Sequence, residues 1–96
     1  MNDKMERMLE QMLEQMVDDC NRYSKSAILS CAEDKENKEF LQWTLGKMNC
    51  VEEYMVELAK VMGVKLKYGH GFEVYRRGQK WEKELKYRTV EIVKEG

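Results

Sequence analysis

A chain of 96 residues is long enough for one hydrophobic core and too short for two. Its formal charge of −1 hides an uneven split, with 8 Lys/Arg against 13 Asp/Glu in residues 1–63 and 9 against 5 in residues 64–96. A hydrophobic share of 43% with 36% charged residues and no proline excludes a disordered chain, and apolar runs of two or three residues exclude a bilayer-spanning segment.

The first element is predicted from Met5, Leu9, Met12, Met16, Cys20, Tyr23 and Ala27, which recur at spacings of three and four. At 100° per residue they occupy an arc of about 80° on a helix. Met8, Leu13, Val17 and Ile28 widen the apolar arc to about 200°, more than one neighbouring element usually covers. This breadth predicts contacts on more than one side. Met5, Met8, Met12, Leu13, Met16 and Val17 are the expected protein interface, since methionine suits adaptable surfaces. A homodimer is the expected assembly, alongside a further protein partner.

A second helix follows from Phe40, Thr44, Met48, Val51, Met55, Leu58 and Met62. Trp43, Cys50, Tyr54 and Val61 flank that stripe on one side, and Leu41 and Ala59 on the other. Gly63 is placed as the residue just past the helix end, with Val64 folding back onto the last turn. Ser30 and Glu33 have capping-box spacing, and Asp34 is a second N-cap candidate. They predict a reversal near residues 30–35 and an antiparallel helical hairpin. The alternative is one long helix, which would force dimerisation.

Past Gly63 the period changes to two. Val64, Leu66 and Tyr68 alternate with Lys65 and Lys67, as in a strand. Gly69-His70-Gly71 reads as a turn, followed by a strand from Phe72. Arg77-Gly78 fits the centre of a two-residue hairpin loop, which would set Val74 opposite Trp81. Residues 79–85 fit either a strand or a helical turn, and residues 86–94 form a β-branched last strand. The predicted fold class is α+β: an N-terminal antiparallel helical hairpin packed on a small C-terminal antiparallel β-meander of three or four strands. One domain spans 1–96, with the hairpin in 1–63 and the β segment in 64–96.

Little here resembles catalytic machinery. His70 is the single histidine and sits between glycines, a poor mount for a general base. The pairs Glu33/Glu36 and Glu53/Glu57 have the spacing of helical metal-binding carboxylates, but the first lies in the expected turn and the second on the polar face of its helix. Cys20, Cys31 and Cys50 with His70 would make a Cys₃His zinc set, yet the close-spaced ligand pair usual in such sites is missing. No enzyme activity, cofactor or metal is expected.

Binding is the better expectation. Lys65, Lys67, Arg76, Arg77, Lys80 and Arg88, interleaved with Tyr75, suit a nucleic acid, a nucleotide or another anion, because cations neutralise phosphates and rings stack on bases. The wide methionine arc places stoichiometric protein binding first and that anion-binding face second. A small charged module without a secretory leader suits the cytoplasm. Its acidic helical half also suits a phage or mobile-element inhibitor that occupies a host nucleic-acid-directed system by charge mimicry.

Overall fold

The computed structural model describes residues 3–33, 38–76 and 82–93, with side chains described at 3–29, 39–74 and 84–93. Helix α1 (Asp3–Glu33) and helix α2 (Lys38–Met62) precede strands β1 (Lys65–Arg76) and β2 (Glu82–Val93). Leu13, Val17 and Cys20 of α1 meet Met55 and Ala59 of α2 and Val90 of β2 in one buried cluster. The N-terminal half of α1 therefore lies against the C-terminal half of α2, which makes the pair antiparallel. Fully burying a side chain such as Leu13 or Met55 stabilises by about 1.5–3 kcal/mol. The protein is thus α+β, with a helical hairpin as predicted. α1 runs past Ser30 to Glu33, so Ser30 lies inside a helix instead of capping the next one. Asp34 lies outside the described residues.

Gly63 ends α2 as its position after Met62 predicts. Its φ of 69° is a left-handed value that a side chain would strain. The Gly63 N–H donates to the Lys60 carbonyl (3.1 Å) and the Val64 N–H to the Ala59 carbonyl (2.9 Å), the paired bonds of a Schellman motif. Val64 packs against the core, which fixes the exit of the chain into β1.

The β segment is one long antiparallel ribbon. Among the described residues it has two strands, where three or four were expected, because the predicted turn at Gly69-His70-Gly71 is continuous strand. These residues pair with Thr89, Arg88 and Tyr87. The register also differs from the expected one: Val74 faces Glu84 and not Trp81. Arg77, Gly78 and Trp81 themselves lie outside the described residues. Glu82 to Leu85 belong to β2, which removes the helical-turn alternative for that stretch.

Two features seat the ribbon on the helices. Asn21 of α1 pairs with the main chain of Val90, its Nδ2 donating to the carbonyl (2.9 Å) and its Oδ1 accepting from the N–H (2.7 Å). Both polar groups of Val90 thus point away from β1, and the β2 edge lies against α1. The buried face also changes along the ribbon. Near its base Val90, Ile92 and Leu66 turn inward, whereas further out the opposite face supplies buried Leu85 and half-buried Tyr87 and Glu73. Right-handed twist, strongest in two-stranded ribbons, accounts for such an exchange over 12-residue strands.

Candidate interaction surfaces

The six expected interface residues of α1 divide. Leu13 and Val17 are core, and Met16 packs against it, so these three are committed to holding α1, α2 and β2 together. Met5, Met8 and Met12 stay outside, at 54%, 55% and 45% exposure. The buried line of α1 runs through Leu13, Val17, Cys20, Ser24 and Ala27, and the three methionines lie about 100° around the helix from its centre. The wide apolar arc is therefore half core and half surface. Beside it, a cleft of about 410 Å³ opens between Glu10, Leu13 and Glu14 of α1, Met62 to Lys65, and Ile92 and Val93 at the ribbon base. Asp3 and Glu6 in the first turn favour the helix dipole and make this end acidic.

The expected anion-binding residues do not share one face. Lys65 and Lys67 lie on one side of the ribbon and Arg88 on the other, two cross-strand faces that the pleat separates. Lys67 is 4.0 Å from Glu91 across the strands. Arg88 pairs with Glu52 of α2 and lies over the Tyr68 ring at 5.3 Å, so its charge is partly answered within the chain. The side chains of Tyr75 and Arg76, and all of Arg77 and Lys80, lie outside the described residues. On the Arg88 face, Tyr68 and Phe72 are exposed, and Lys86 stands over Phe72 at 5.9 Å. A cleft of about 420 Å³ adjoins it, lined by Ser24, Ala27, Ile28, Leu45, Met48 and, on the ribbon, His70, Lys86, Tyr87 and Arg88.

Electrostatics hold the ribbon rather than activate a nucleophile. Lys25 is 2.9 Å from Glu73, and that hydrogen bond, with the carboxylate's charge, raises the lysine pKa. Burial, then the charge of Glu52, pushes up the Cys20 thiol and the Tyr68 phenol alike, so both stay protonated at neutral pH. Cys50 is exposed on α2. His70 sits exposed in mid-strand, opposite Arg88. Glu53 and Glu57 are exposed, while the side chains of Glu33, Glu36 and Cys31 lie outside the described residues. Among the described residues no group of three or more His, Cys, Asp or Glu is placed to hold a metal ion, and no helix is long and apolar enough to cross a membrane.

One surface is missing from the expected set. Phe40, Trp43, Tyr54 and Val61 of α2 are all exposed, about 100° around the helix from its buried line. The signal was present in the flanking positions Trp43, Cys50, Tyr54 and Val61, which repeat at helical spacing beside the buried stripe.

Fold and surfaces together define a small α+β protein with several uncovered apolar faces. No family model matches the chain, and no curated protein or solved structure matches it either.

Proposed function

We propose that the chain is a non-enzymatic interaction module that acts stoichiometrically, binding a partner protein through Met5, Met8 and Met12 of α1. The observation that carries this reading is the exposure of these three methionines together on one line of α1, whose other described apolar residues are buried or half-buried. Long, unbranched methionine side chains adapt to a partner's contour and gain by leaving water. Residues 3–14 carry Asp3, Glu6, Glu10 and Glu14 against Lys4 and Arg7, and this net negative charge favours an apolar partner surface of basic character. A nucleic-acid-binding surface has that character. A phage or mobile-element inhibitor that blocks such a surface in the cytoplasm is the role we assign. Affinity capture with the native chain and with Met5→Glu/Met8→Glu/Met12→Glu tests it. A basic partner should be retained by the first and lost by the second, with unchanged circular dichroism. Equal retention by both would refute the methionine face.

A second reading, nucleic-acid or nucleotide binding by the ribbon, is favoured by exposed Tyr68 and Phe72 beside Lys86 and Arg88 on one face. Stacking on such rings is worth about 1–3 kcal/mol per base. Oligonucleotide binding that weakens with salt and is lost in Phe72→Ala/Lys86→Ala would support it. Absence of binding at low ionic strength would remove it.

A further inference from the structure

The exposed side of α2 carries a coiled-coil seam with no partner among the described residues. Phe40, Trp43, Lys47, Cys50, Tyr54, Glu57 and Val61 alternate at spacings of three and four, the a and d positions of successive heptads, and every one of them is exposed. Thr44, Met48, Met55, Ala59 and Met62 on another side of the same helix turn into the core or pack against it. α2 is thus apolar on two sides, of which the fold uses one. The ribbon meets the helix elsewhere, at Glu52, Leu45 and Met48, and leaves the seam open.

We propose that a second copy of this chain docks on the seam, the two α2 helices running antiparallel about a two-fold axis. The choice of occupant rests on charge. Reversing one helix sets each a position opposite a d position of the other. One register places Lys47 opposite Glu57 of the second copy, Cys50 opposite Tyr54, and Trp43 opposite Val61. The two charged residues of the seam are then partners, and symmetry makes that pair twice. Parallel pairing would put Lys47 against Lys47 and Glu57 against Glu57, which repel. Shifting the antiparallel register by a heptad either way leaves Lys47 beside Cys50 or Val64. The surface is self-complementary in one arrangement, as an isologous interface must be.

Details of the single chain agree. Lys47 lies over the Trp43 ring at 5.6 Å, and Glu57 is 3.7 Å from Lys60. Such exposed contacts are weak and yield to a better partner. Gly46 adjoins the seam in mid-helix, where glycine is about 1 kcal/mol worse than alanine. A Cβ there would meet nothing within 4 Å of its own chain, so internal packing does not require the glycine. In the proposed pairing it faces Lys60 of the second copy and gives room for that side chain's stem.

This inference does not rest on the methionine face, and its test separates the two. Sedimentation equilibrium of the full chain at low ionic strength should show a dimer. Lys47→Glu and Glu57→Lys should each weaken it roughly tenfold, since each turns two attractions into two repulsions, about 1.4 kcal/mol in all. The double swap Lys47→Glu/Glu57→Lys should restore it to near the native affinity. In a parallel dimer the single reversals would only exchange one repulsion for another. Circular dichroism should be unchanged throughout, because both residues are exposed. Met5→Glu/Met8→Glu/Met12→Glu should leave the dimer intact. A native chain that is monomeric at high concentration overturns the proposal. So does a dimer indifferent to the charge reversals, or one dissociated by the methionine substitutions.

Discussion

The ring of Tyr87 lies across the ribbon over Gly71, so close that a Cβ built on the glycine would stand 2.5 Å from the ring's Cζ. The two are cross-strand partners in the register of β1 and β2. Glycine in mid-strand leaves backbone bare and conformationally free. An aromatic ring laid across it restores the missing contact, a device that stabilises glycine in sheets.

The pair should therefore be coupled. Tyr87→Ala is expected to destabilise the protein by about 1 kcal/mol, and Gly71→Ala to displace the ring at a similar cost. The double variant should lose less than the two singles combined, by about 0.5–1 kcal/mol. Urea denaturation of all four proteins measures this, and strict additivity would show that the ring and the glycine act independently.

Asn21 offers a sharper loss. Asn21→Ala removes both hydrogen bonds to Val90 and leaves an N–H and a C=O unpaired in a half-buried place. About 2–3 kcal/mol should disappear from the unfolding free energy. Amide hydrogen exchange at Val90 should quicken well before that of α2.

Thr44 predicts a gain. The residue is fully buried, and its Oγ1 has no hydrogen-bond partner among the described residues. Thr44→Val keeps the shape and removes an unsatisfied hydroxyl, so thermal unfolding should shift upward by the equivalent of about 1 kcal/mol. A lower melting temperature would mean that the hydroxyl does find a partner.

The cysteines should separate by reactivity. Cys50 is exposed and should alkylate quickly in the folded protein as a monomer, whereas Cys20 is buried and its thiol pKa raised. Peptide mapping after a short iodoacetamide pulse should find label on Cys50 and not on Cys20 until denaturant is added. The raised Cys20 pKa also has a direction in pH. Its contribution to stability is fully present below the unfolded thiol's pKa and is lost as pH rises through the folded value. Alkaline destabilisation should therefore be weaker in Cys20→Ala than in the native chain.

The helical half was legible because its signals are local. The three-and-four spacing of Met55, Leu58 and Met62, and the glycine directly after them, report the helix and its end without reference to any distant residue. The ribbon was less legible because its decisive contacts are remote in sequence. Gly69 and Gly71 look like a turn until Tyr87 and Thr89 are known to lie opposite, and that pairing depends on a register that no local signal in either strand reports. The surfaces were legible in half. Periodicity showed that α1 has too broad an apolar arc but not which edge the core would take, and Leu13 and Val17 proved to be core while Met5 and Met8 did not. In α2 the buried stripe through Thr44 and Met55 and the exposed one through Trp43 and Tyr54 are equally regular, so periodicity alone does not say which is core.

The carboxamide of Asn21 also limits the growth of the ribbon. A bare two-stranded ribbon can recruit new strands at either margin and so propagate without end. Here a single side chain occupies the place of a third strand at Val90, and α1 lies along that margin. A further strand cannot pair with the main chain at that position. The β2 margin is thereby closed at Val90 to the open-ended strand pairing that a bare ribbon margin invites.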